Sequence, residues 1–149
     1  MYLSIALLTI AGCSTANLIE EAGDQSFLDH NIIIGTGGGF TGVYEGYLID
    51  TTGNVFHWEG ISFENSVKRY IGTLHTSQIE KIKSLIEDYG VLTTEYSGKG
   101  NITTFITLRT EEFAHRVSWV GISPDKKVPE SLRAFNSELN EIITFAANY

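Results

Sequence analysis

No lysine or arginine occurs before Lys68. The first 67 residues hold eight carboxylates with no compensating cation, and the rest of the 149-residue chain holds ten acids and ten bases. A phosphate backbone demands a basic face, so this balance and a formal net charge of −8 argue against nucleic acid as a partner. The acidic half reads as a solvated surface. A single cysteine, Cys13, excludes an intrachain disulfide and any Cys-x-x-Cys metal pair. No apolar run reaches the roughly 20 residues that a membrane-spanning helix needs. His-Glu-x-x-His, Gly-x-Ser-x-Gly and a loop closed by Gly-Lys-Ser/Thr are all missing, which removes the compact signatures of zinc proteases, serine hydrolases and P-loop enzymes.

What the chain does hold is glycine, concentrated in Asn31–Ile49, "NIIIGTGGGFTGVYEGYLI". Gly37, Gly39 and Gly42 stand at the G-x-G-x-x-G spacing of dinucleotide cradles. Such a cradle must open a helix, because helix N-terminal amides hold the pyrophosphate. Val43 to Asp50 is instead aromatic and β-branched and runs into the turn "TTGN", so it reads as a strand entering a hairpin and not as a helix. The loop Gly37, Gly38, Gly39, Phe40, Thr41 and Gly42 then has two readings. It is a bulged, wide turn between strands, or a recognition loop that offers uncovered backbone beside an aromatic side chain. The sequence leaves open whether Phe40 belongs to the core or points outward.

The N-terminus "MYLSIALLTIAGCST" carries an apolar segment of about ten residues, the size of a signal-peptide core. Its end, Ile10-Ala11-Gly12-Cys13, resembles the lipobox of bacterial lipoproteins: an aliphatic residue, two small ones, then the cysteine that accepts lipid. The pattern departs in lacking a basic residue before the apolar run, as a start codon placed too far downstream would produce. The resemblance implies a signal peptide at 1–12, lipidation of Cys13, an acidic tether at 13–26 and a single domain at 27–149. It also implies a cell-envelope location, with the lipid as the only membrane attachment.

Within the domain, Phe27–Ile34 reads as a first strand, "GTGGG" as a loop, and Phe40–Asp50 as a second strand apolar on both faces and therefore interior. Val55–Glu59 and Val67–Leu74 supply a third and fourth. The period then becomes helical: Ile79, Ile82, Leu85, Ile86 and Tyr89 mark a helix over 77–89, with Ser77 and Glu80 as its capping box and Gly90 as its stop. Ile102–Leu108 and His115–Trp119 alternate as two strands around "RTEEF". Behind Pro129, Leu132, Phe135, Leu139, Ile142, Ile143 and Ala146 draw the stripe of a final helix. The order βββ(β)αββα predicts an α+β domain: an antiparallel sheet of five to six strands with two helices on one face.

Chemistry-bearing residues do not cluster in the sequence. His30, His57, His75 and His115 lack ligand spacing, so no metal is expected, and His57 and His115 share a face only if their strands meet. Glu111-Glu112 reads as a charged hairpin tip. The "GGGFTG" segment and the element order resemble the emfourin-type inhibitors of thermolysin-like metalloproteases. The glycine-rich start resembles small Bacteroidetes-type lipoproteins as well. The first resemblance implies inhibitor-like binding of an envelope protein or protease, carried over only onto Gly38, Gly39, Phe40 and Gly42. The expectation is thus a lipid-anchored binding module without a cofactor. The alternative is a small envelope enzyme whose residues converge only in space.

Overall fold

A computed structural model describes residues 26–147. Six strands, β1 (Asn31–Gly38), β2 (Val43–Ile49), β3 (Asn54–Gly60), β4 (Ser66–Thr73), β5 (Ile102–Arg109) and β6 (Ala114–Val120), form one sheet in the order β4-β3-β2-β1-β5-β6. Every neighbouring pair is antiparallel. Helices α1 (Thr76–Asp88) and α2 (Glu130–Ala146) lie on one face, which makes the domain α+β as the strand and helix order predicts.

The main core forms where the two periodicities meet. Ile79, Ile82 and Leu85 of α1 and Leu132, Phe135, Leu139 and Ile143 of α2 are buried against Ile32, Ile34, Ile49, Ile106 and Leu108 of the sheet. Each such side chain contributes about 1.5–3 kcal/mol when removed from water, well above the tenths of a kcal/mol that separate ordinary helix propensities. Helix α1 starts one residue earlier than its apolar stripe suggests. Its N-terminus is closed by Gln78, whose Oε1 accepts the His75 amide at 2.8 Å, and not by the Ser77–Glu80 pair. The capping box is thus displaced by two residues, because the chain leaves its extended conformation at His75. Gly90, at φ +58°, ends the helical run where the sequence places the stop.

The first strand also departs from the sequence reading. It covers Asn31–Gly38 and not Phe27–Ile34, so "GTGG" is not loop but the second half of the most central strand. Glycines weaken strands by about 0.5–1 kcal/mol each. Here both edges of β1 are paired along their whole length, by β2 and by β5, and the ladder overrides that preference. Strand β2 correspondingly starts at Val43 and not at Phe40, and is interior between β1 and β3.

The face away from the helices carries a second, smaller core. One row of paired residues across the sheet reads Lys68, Trp58, Gly46, Gly35, Phe105, Ser118. The two glycines form a trough into which the flanking rings lean. A Cβ built on Gly35 would lie 2.5 Å from Phe105 Cζ and 2.6 Å from Trp58 Cζ2. Trp58 is completely buried there, and its Nε1 donates to the Ile34 carbonyl at 2.9 Å. Beyond β3 the chain at 61–65 folds over this face. Phe63 meets Trp58 edge-on at 5.6 Å between centroids, and Glu64 reaches Arg109 at 3.0 Å.

Candidate functional site

Of the residues that the sequence singles out, Gly37 and Gly38 end β1, while Gly39, Phe40, Thr41 and Gly42 form the four-residue turn to β2. Gly38, Gly39 and Gly42 take φ values of +111°, +66° and +64°, a region closed in practice to β-branched side chains. The turn is tied to the sheet by the Gly39 amide, which donates to the Asn101 carbonyl at 2.6 Å, and by Thr41, whose Oγ1 accepts from the Val43 amide at 3.3 Å. Below it, Thr36 and Thr104 share a 2.8 Å hydroxyl contact, and Thr104 donates to the Gly121 carbonyl at 2.7 Å. A firm base therefore carries a short tip whose backbone path requires glycine.

Phe40, left open in the sequence, points outward and is fully exposed at that tip. Val43, Ile102, Val120 and Ile122 are exposed on neighbouring strands and loops at the same end of the sheet. Glu45 and Glu59 stand directly opposite each other on β2 and β3, both exposed, with no ion pair to a described residue. Like charges so placed repel. This end of the sheet combines an apolar tip with an acidic pair that no described residue neutralises.

A second region was not legible in the sequence: a groove on the open face. It holds about 600 Å³ and is floored by Ile33, Trp58 and Phe105, with Phe63 on one wall and the hairpin tip Thr110–Phe113 at its end. Arg116 lies along it with its guanidinium carbon 3.6 Å from the centre of the Phe105 ring. That stacking costs the guanidinium part of its hydration, which lowers its pKa, while Tyr44 and Glu64 act in the opposite sense. Arg116 makes no hydrogen bond or ion pair with any described residue. Glu64 is held below the ordinary carboxyl range first by its own backbone amide, with Arg109 adding to the effect. The signal for this groove lies in the face of β5 that alternates with its apolar one, Thr103, Phe105, Thr107 and Arg109, and in the glycines opposite Trp58 and Phe105.

His57 and His115 point to the helix-covered face, but β2, β1 and β5 separate their strands. His57 packs edge-on to Tyr47, and His115 Nε2 donates to the Thr94 carbonyl at 3.0 Å. Among the described residues no three His, Cys, Asp or Glu side chains gather at metal-binding range. No helix of those residues is long and apolar enough to cross a membrane. Glu111 and Glu112 sit at the exposed β5–β6 tip, and Cys13 lies outside the described residues. No protein-family model and no curated protein matches the chain.

Proposed function

We propose that the protein is a lipid-anchored binding module of the cell envelope that captures a partner protein, a protease among the candidates, through the β1–β2 turn. The observation that carries this reading is Phe40: a large apolar side chain, fully exposed, on a turn of positive-φ glycines fastened to a six-stranded sheet. An aromatic ring held in water at a fixed position loses little entropy on docking, which is the economy of an interface anchor. The exposed Glu45–Glu59 pair supports a partner surface with an apolar pocket next to a basic residue. The Ile10-Ala11-Gly12-Cys13 sequence supports the anchor, and the acidic segment after it supports a tether that holds the turn away from the membrane.

The test is capture from native envelopes by the intact protein beside two variants. Phe40→Ala removes a ring that touches nothing structural, so its melting temperature should match wild type while the captured partner is lost. Cys13→Ala should fail to incorporate labelled palmitate. Unchanged capture by Phe40→Ala would dismiss the turn as the working surface, and equal labelling of Cys13→Ala would dismiss the anchor. Phe40→Ala is a cleaner probe than a substitution at Gly38, where a Cβ would lie 2.6 Å from the Asn101 carbonyl oxygen and disturb the fold itself.

A further inference from the structure

Next to the groove over Phe105, with Tyr44 and Arg116 lining both, lies a second cleft of about 540 Å³ between β6 and the chain at 97–100. Its walls are Tyr44, Ser97, Lys99, Thr103, Arg116 and Ser118, and no carboxylate lines it. The chain at 96–98 is held against β6 by the Gly98 amide, which donates to the Ser118 carbonyl at 2.8 Å, and by the Ser118 amide, which donates to the Tyr96 carbonyl at 3.0 Å. Ser118 and Thr103 spend their hydroxyl protons on the Gly98 and Gly100 carbonyls, which fixes this wall. Lys99, Arg116, Tyr44 and Ser97 are different: none uses its side-chain donors on a described residue. Two cations and two hydroxyls thus border one cleft, unengaged, in a chain whose overall charge is −8.

We propose that this cleft binds a small organic anion, with a carboxylate or phosphate headgroup between Lys99 and Arg116 and an apolar body in the adjoining groove beside Phe63. The guanidinium is suited to the task because its planar donors match an oxyanion in pairs, and stacking on Phe105 fixes its plane in advance. The adjoining groove supplies the apolar half of the site through Phe63 and the exposed Ile61 and Phe113, and the two compartments share Tyr44 and Arg116. Glu111 and Glu112 stand at the hairpin-tip end of that groove, and Glu64, paired with Arg109, faces Arg116 from the same groove, whereas no carboxylate lines the cleft beside Lys99, so the headgroup is directed toward Lys99. The volumes fall in the range of sites for small molecules, about 300–1,000 Å³. The site lies on the open face and is independent of partner capture through Phe40.

The full chain, isotopically labelled, is titrated with three probes: 3-phenylpropionate, its neutral amide 3-phenylpropionamide, and inorganic phosphate. The expected result is that 3-phenylpropionate shifts the amide resonances of Gly98–Gly100, Phe105 and Arg116, and binds at least about tenfold more tightly than the amide, with affinity falling as salt rises. Phosphate should shift Gly98–Gly100 and Arg116 and bind more weakly than 3-phenylpropionate; phosphate bound as tightly as 3-phenylpropionate would overturn the organic ligand in favour of a free inorganic anion. Arg116→Gln should weaken 3-phenylpropionate by about tenfold or more. Lys99→Gln, at an exposed residue whose side chain holds no partner among the described residues, should weaken it without touching the fold. Equal affinity for acid and amide, shifts outside the cleft, or full affinity in a folded Lys99→Gln and Arg116→Gln pair would each overturn the proposal. Unchanged capture by Phe40→Ala with selective binding of the acid intact would fail the capture reading alone, and loss of capture with acid and amide bound equally would fail the anion site alone.

Discussion

Glycines 35 and 46 show how a residue without a side chain can specify the placement of large ones. Opposite each other on β1 and β2, they leave a trough two strands wide, and Trp58 and Phe105 fill it from either side with ring centroids 6.1 Å apart. The weakening that glycine imposes on a strand is small beside the burial of two aromatic rings, so the exchange favours the folded state. Gly35→Ala is therefore expected to destabilise by about 1–3 kcal/mol, the usual range for forcing a methyl group into a packed site. A lower denaturant midpoint together with altered near-ultraviolet aromatic signal should report it. A variant as stable as wild type, with unchanged aromatic signal, would show that the rings are not seated on that glycine. Gly39 and Gly42 contrast with Gly35: a Cβ there would meet nothing within 4 Å, and only their positive φ calls for glycine.

At the scale of elements, the two helices are clasped at one point by a polar triad. Glu138 of α2 receives the Tyr89 hydroxyl at 2.6 Å and the Lys81 ammonium at 2.6 Å, both from α1 or its C-terminal cap. Lys81 first, then Tyr89, holds the Glu138 carboxyl below its ordinary value of 4.5, while the hydrogen bond to Glu138 raises the Tyr89 phenol. A carboxyl whose pKa is lowered on folding contributes stability that is fully present above its unfolded value and is lost as pH falls through the folded one. Glu138→Gln should accordingly melt below wild type at pH 7, and the gap should close as pH falls below about 4.5. Paired thermal melts across pH 3 to 7 would check this, and a gap independent of pH would assign the effect to packing instead. The pair is solvent-accessible, so the effect is also expected to shrink at high salt.

For the molecule as a whole, the first described residues are already tied into the domain. The amides of Phe27 and Leu28 both donate to the Thr51 carbonyl, at 2.7 and 2.9 Å, and Leu28 is buried in the main core. Removal of residues 1–25 is expected to leave a cooperatively melting domain, whereas removal through residue 28 should lower its stability, because the second cut takes Leu28 out of the core. Thermal denaturation of the two truncations decides this, and a molten product from the shorter cut would show that the segment before Ser26 is part of the core. Both outer strands of the sheet are guarded in different ways. Strand β6 is partly covered by the chain at 96–98, and β4 carries Lys68 and Arg69, charges that discourage edge-to-edge pairing.

The sequence by itself determined the fold class, the order of the elements and the helix-facing core, because those depend on periodicity: alternation in Ile102–Leu108, three-to-four spacing in Ile79–Leu85 and Leu132–Ile143. It also marked the glycine turn, whose composition is unusual enough to be seen without a partner strand. Only the tertiary structure decided that Gly35–Gly38 continue a strand, that Phe40 stands in solvent, and that Trp58, Phe105 and Arg116 share one open face with Lys99. The physical reason is that these facts depend on which strands become neighbours. Trp58 and Phe105 are 47 positions apart in the chain and meet only because β1 and β2 lie between their strands and present glycine to both. Local preference cannot encode such a pairing, since it arises from the register of four strands at once.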